Sequence, residues 1–231
     1  MLCDCYRFLL PQVFSQLTSS FPSISLFCQY GVDQTRFFLM SEVSFGNDGD
    51  FSDTNMVNKV NANLANELGN LCQRTLSMVF KNCDKAVPEP GPFTPEDEAL
   101  LESARGLREK ASEAISTQAI FKYVQVVVEM IWDANKYIDN MAPWVLRKTD
   151  PDRMATVLYV LLEVLRYTAI LYQPLIPDSA NSILDQITVP EDQRTFLHLT
   201  DDYRIKPGSP ISKPTAVFPR LELPAAELIQ N

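Results

Sequence analysis

The sequence predicts an all-α fold, an antiparallel bundle of four to five helices followed by an extended C-terminal tail. Three observations lead there. Apolar residues recur at spacings of three, four and seven over long runs, the period of a helix with one buried face. Thr94-Pro95 and Asp150-Pro151 place a capping side chain directly before a proline, the start signal of a helix. Beyond Lys206 the prolines at Pro207, Pro210, Pro214, Pro219 and Pro224 deny the backbone any helix.

The first helix is capped by Ser52 or Asp53 and carries Val57, Val60, Leu64, Leu68, Leu71 and Met78 on one stripe, to about Lys81. Val87-Pro-Glu-Pro-Gly-Pro92 reads as a linker. Thr94 then caps a second helix whose first turn holds Glu96, Asp97 and Glu98, carboxylates suited to the positive end of the helix dipole. The third helix is expected from near Thr117 to Met141, where Pro143 stops it. Phe121, Val124, Val128, Ile131 and Trp132 form its apolar stripe, and Trp132 is assigned to the core. A fourth, apolar on most sides, starts at Asp150-Pro151 and ends at Pro174; a short one follows from Asp178 to Ile187. Val157 to Tyr172 is the longest apolar stretch, but Glu163 and Arg166 interrupt it, so it reads as a buried helix.

Composition excludes several classes. The net charge of −9 rules out a strongly basic nucleic-acid coat. The acidic excess gathers in 29–52, 91–114 and 178–204, while 53–90 and 115–177 are balanced and leave room for a focused RNA contact. Five cysteines without a C-x-x-C pair and a single histidine make a metal site or a disulfide framework unexpected. Residues 1–28 lack the basic start of a secretory signal and the arginines of a transit peptide; a weak organelle-targeting segment, or a disordered or misassigned start, are the readings left. No phosphate-cradling glycine loop occurs. His198 has no nucleophile to serve and is expected to be a satisfied, half-buried side chain, so no catalytic residue is assigned. The pairs Asp48/Asp50 and Asp201/Asp202 read as solvated caps in turns.

Two features point to binding. Asn63, Asn66, Asn70 and Arg74 fall at spacings of three, four and four on the first helix, a polar stripe opposite the leucines. Such amides, which are poor helix formers, either read hydrogen-bonding edges of a ligand or form a ladder to neighbouring helices. Trp144, in Ala142-Pro143-Trp144, is held by a stiff backbone outside the helix. It is either a stacking platform for an unpaired base or a core anchor.

Several strings in order resemble bacterial-type methionyl-tRNA synthetases. They are Tyr30-Gly-Val-Asp-Gln-Thr-Arg-Phe-Phe-Leu39, Phe45-Gly-Asn-Asp-Gly-Asp-Phe51, Asn61-Ala-Asn-Leu-Ala-Asn-Glu-Leu-Gly-Asn-Leu71, Ala134-Asn-Lys-Tyr-Ile-Asp139 with Ala142-Pro-Trp144, and Pro210-Ile-Ser-Lys-Pro214 with Phe218-Pro-Arg220. The resemblance covers about residues 29–223. It implies an unmatched segment 1–28, a remnant of the linker after the catalytic domain at 29–52, a helical anticodon-binding domain at 53–204, and a tail at 205–231 that returns to the catalytic domain. It also implies that Asn70, Arg74 and Trp144, with Asn66 one turn earlier, recognise the CAU anticodon. The implied partners are methionine tRNA and a catalytic synthetase domain, with neither membrane nor DNA, in a bacterial, mitochondrial or chloroplast setting and not secreted. ATP with magnesium is the cofactor of the full-length family. The family's two adenylate-forming signatures, His-Ile-Gly-His and Lys-Met-Ser-Lys-Ser, do not occur in these 231 residues, so no cofactor and no activation of methionine are expected of this chain alone. In the family, residues 30–52 and the tail contact the catalytic domain, so Phe37, Phe38, Leu39 and Val217 are expected to leave apolar surface uncovered. The rival reading is a helical protein-interaction module that keeps the scaffold without RNA.

Overall fold

The computed structural model describes residues 22–42 and 51–223; the Asp48/Asp50 pair and most of the Phe45–Phe51 string lie outside them. Everything regular among the described residues is helical: α1 (Pro22–Tyr30), α2 (Val32–Glu42), α3 (Asp53–Val60), a π-helical stretch (Asn61–Gly69) running into α4 (Asn70–Asn82), α5 (Pro95–Arg105), α6 (Leu107–Ser116), α7 (Ile120–Met141), α8 (Pro143–Thr149), α9 (Pro151–Tyr172) and α10 (Pro177–Gln186). Three short 3₁₀ turns follow, and the only β-type pairing among these residues is an isolated bridge between Ala86 and Pro210.

Helix α9 is the axle of the fold. Every residue from Thr156 to Tyr172 is buried, as its all-round apolar pattern requires. Its two interior charges neutralise each other. Glu163 accepts from Arg166 at 2.8 Å and from the Ile205 N–H, and Arg166 donates onward to the carbonyls of His198 and Thr200. The pair thereby pins the 198–205 segment to the bundle, which accounts for two ionised groups in so apolar a helix. Helices α5, α7, α8 and α10 pack around α9. α7 runs antiparallel to it: the Tyr123 hydroxyl donates to the Leu171 carbonyl at one end, and Tyr137 and Arg153 meet on Asp97 at the other. α4 and the π stretch instead run parallel to α7, so the alternation of directions is not strict.

Asp97 is the tightest polar knot. It closes the predicted cap by accepting the Thr94 N–H, and it also takes the Tyr137 hydroxyl and both arms of Arg153. Burial alone would raise its pKa, but these donors outweigh burial and hold the carboxyl below its usual range.

Several expectations are corrected. Residues 32–42 form a helix, and Phe37 and Phe38 are buried in the common core instead of waiting for a missing domain. Val217 is packed against that core, while Leu39 does remain exposed. α1 spans the expected boundary at residue 28. The second predicted helix breaks at Gly106 into α5 and α6. Trp132 is 50% exposed, against its assignment to the core, because α7 there overhangs a gap beside α2 and the π stretch that no described helix fills. Cys72 and Cys83 are free thiols.

The tail lies along the bundle in extended form. Val87 N–H donates to Ser209 and Ile211 N–H to Lys85; Thr215 N–H donates to Gln186 and Leu221 N–H to Asn61. Phe218 is buried against Gly69, where the absence of a side chain lets the tail come close.

Candidate nucleic-acid interface

The π stretch decides which side chains face α7. Its i→i+5 bonds turn the backbone through fewer degrees per residue than an α-helix does, so the residue four on, not three on, returns to a given face. Glu67 therefore takes the place expected of Asn66. The Asn135 amide on α7 donates to the Glu67 carboxylate at 2.8 Å. Asn66 is carried round to the tail, where its carbonyl accepts from Arg220 at 2.7 Å. Asn63 donates back to the Lys59 carbonyl, a turn-internal bond. The predicted polar stripe thus becomes a seam along α7 bonded through Glu67 and Arg74, with Asn63 lining its upper end and Asn70 exposed one turn before Arg74.

At the lower end of that seam three groups meet. Arg74 forms a salt bridge with Asp139 of α7, and its guanidinium lies 5.2 Å from the centroid of the Trp144 ring. A cation over an indole face is attractive by about 0.5–1 kcal/mol at an exposed site, so the two side chains stabilise one another's placement. Trp144 keeps 42% of its surface exposed, and Asn70, one turn up from Arg74, is exposed as well.

The geometry of Trp144 follows from the two residues before it. Pro143 cannot continue α7 and disfavours the right-handed helical region for its predecessor. Ala142 accordingly sits in the left-handed region, with φ +44° and ψ 60°, an uncommon state for a residue with a Cβ. Pro143, buried, then opens α8 as its first residue, and Trp144 projects from that first turn. The tryptophan is therefore on a short helix and not on an irregular loop. Behind it the junction is tied down: Arg153, held on Asp97, reaches the Met141 sulfur at 3.6 Å, and Asp150 caps α9 through the Arg153 N–H. The last turn of α8 presents Arg147 and Lys148, both exposed.

The arrangement offers a flat π surface, a planar cation with donor N–H groups and an amide that both donates and accepts. Those are the components that grip a splayed-out base by its face and its edge. Arg74, Trp144 and Asn70 are brought together; Asn66 is not. Asp139 was not singled out from the sequence, although its place five residues before Trp144, with Pro143 turning the chain between them, was a usable signal. His198 takes the structural role expected of it. Its Nδ1 lies 2.9 Å from Thr195 Oγ1 and its ring stands edge-on to Tyr203.

Comparison with known proteins agrees in sequence and in shape. A family described as the anticodon binding domain of methionyl tRNA ligase matches residues 87–227, and one described as tRNA synthetases class I (M) matches residues 22–76. The methionine–tRNA ligase of Rhizobium meliloti (strain 1021) is 45% identical over 197 residues, which is 85% of this chain and 38% of that protein. That of Mycobacterium tuberculosis (strain CDC 1551 / Oshkosh) is 46% identical over 198 residues, 84% of this chain and 38% of its own length. The crystal structure of the free methionyl-tRNA synthetase of Mycobacterium tuberculosis superposes with a TM-score of 0.84 at 46% identity, covering 87% of this chain and 41% of that one. The chain thus spans about two fifths of the length of the relatives it matches.

Proposed function

This chain belongs to the methionyl-tRNA ligase family through its anticodon-binding domain, and we propose that it holds the CAU anticodon loop of methionine tRNA on the seam between α4, α7 and α8. The observation that supports this reading is the joining of Arg74 and Trp144, residues distant in sequence, at 5.2 Å on a partly exposed surface. Trp144 stacks on one base. Arg74 can only donate, which suits the O2 and N3 acceptors of cytosine, and Asn70 bonds a neighbouring edge. Asn66 acts indirectly, by anchoring Arg220 of the tail beside the π stretch. Asp139 keeps the guanidinium oriented before RNA arrives.

Within a complete ligase the chain supplies tRNA selection for aminoacylation, and a catalytic synthetase domain is its further partner. ATP with magnesium belongs to the full-length family, whose adenylate-forming signatures do not occur in these 231 residues.

Filter binding of methionine tRNA, compared with the same tRNA carrying an altered anticodon, tests the reading. The CAU form is expected to bind more tightly. Equal affinity for both would favour the interaction-module alternative.

A further inference from the structure

The seam does not end at Glu67. Its upper end opens into a cavity of about 240 Å³ between α2, α3, the π stretch and α7. Phe37, Val124 and Val128 form its apolar floor, and Trp132, Phe121 and Asn63 stand around its mouth. Trp132 and Phe121 are 50% and 39% exposed, so the chain presents a second indole that packing within the described residues does not explain. Trp132 lies three residues before Asn135 and seven before Asp139, the two α7 residues that bond Glu67 and Arg74 across the seam. These positions share one helix face.

We infer that Trp132 and this cavity form a second nucleobase site, which takes an unpaired base of the same RNA loop beside the triplet held at Trp144. The inference rests on the anticodon reading above and adds a contact to it. Seven residues of helix separate Trp132 from Asp139, about 10 Å at 1.5 Å per residue. Two sites that far apart on neighbouring surface can be reached by different unpaired bases of one loop. The chemistry of the mouth suits a base better than a wholly apolar side chain. The Asn63 amide donates its N–H to Lys59, which leaves its carbonyl oxygen without a partner among the described residues, and Lys59 brings an ammonium already positioned by Glu42 and the Ser41 carbonyl. An acceptor and a donor flanking an indole match the mixed edge and the π-face of a base. Continuity with the Arg74–Trp144 end favours RNA over a protein partner as the occupant.

The test uses the full chain and a hairpin carrying the anticodon stem and loop of methionine tRNA. Tryptophan occurs only twice in the sequence, so Trp144→Phe leaves Trp132 as the sole indole, and its emission should be quenched on adding the hairpin. Trp132→Ala, at an exposed position, should fold normally by circular dichroism and weaken hairpin binding about fivefold or more. Making one unpaired loop nucleotide outside the triplet abasic at a time should remove that effect at one position. Unchanged affinity for Trp132→Ala, with Trp144→Leu weakened, would overturn this inference and leave the anticodon reading standing. Unchanged affinity for both variants would remove the reading and the inference together. Self-association of the parent chain in light scattering that disappears in Trp132→Ala, with RNA affinity intact, would identify a protein contact and overturn the nucleobase site.

Discussion

Replacing Trp144 by leucine separates what the indole does for the fold from what it does for the ligand. With 42% of its surface exposed, the residue has a little over half covered. Taking about 250 Å² for a whole tryptophan, about 145 Å² is buried, which at about 25 cal/mol/Å² gives an upper estimate of about 3.6 kcal/mol for truncation to alanine. Alanine would therefore mix loss of binding with loss of stability. Leucine refills most of that contact and should cost on the order of 1 kcal/mol. It has no π-face, so base stacking of about 1–3 kcal/mol disappears, along with the cation–π hold on Arg74. At about 1.4 kcal/mol per tenfold, affinity for methionine tRNA should fall about five- to a hundredfold. Filter binding, with a thermal melt as control, reads both quantities. An affinity within twofold of the parent, in a folded variant, would refute the stacking role.

Other consequences are equally concrete. Asp97→Ala strands Arg153 and the Tyr137 hydroxyl and should lower stability by about 3 kcal/mol, or about 6–12 °C in a thermal melt; an unshifted melt would contradict the anchoring role. Acid should weaken the fold. The donors on Asp97 outweigh its burial, the Lys59 hydrogen bond lowers Glu42, and Arg105 and Arg204 overcome the burial of Asp201. All three are depressed in the folded state, so their contribution is present above about pH 4, where the unfolded groups titrate, and is lost as pH falls below it. Urea midpoints measured from pH 6 down to pH 3 should drop mainly below pH 4, and a flat profile would count against these pairs. RNA binding should depend only weakly on salt, because Arg147 and Lys148 are the exposed cations beside Trp144 and the chain is acidic. With two or three phosphate contacts, affinity should fall roughly five- to twentyfold between 50 and 200 mM salt; a thousandfold loss would place a much larger cationic surface in contact.

What the sequence revealed and concealed divides along physical lines. Helix starts were legible because their signals are local: Thr94-Pro95 and Asp150-Pro151 cap where expected, and the apolar pattern of 157–172 is that of a central helix. The meeting of Arg74 with Trp144 was expected from the resemblance and is seen in the fold, whereas their roles toward RNA await the experiments above. The π stretch was not legible. Nothing in Asn61–Gly69 distinguishes i→i+5 from i→i+4 bonding, yet that choice sends Asn66 to Arg220 and brings Glu67 to Asn135. Trp132 misled for a related reason. Periodicity names the face of a helix but not whether a neighbour covers it, and beside Trp132 the neighbours leave a cavity. Phe37 and Phe38 erred in the other direction, because α2 finds its cover within this chain.

Contact between Trp144 and an anticodon base can be read from a double-mutant cycle across the interface. Affinities are determined for the parent chain and Trp144→Leu, each with the intact hairpin and with hairpins made abasic at one anticodon position at a time. For one position the leucine substitution is expected to lose its effect, giving a coupling of about 1–3 kcal/mol. A leucine effect that stays the same on every abasic hairpin would contradict it.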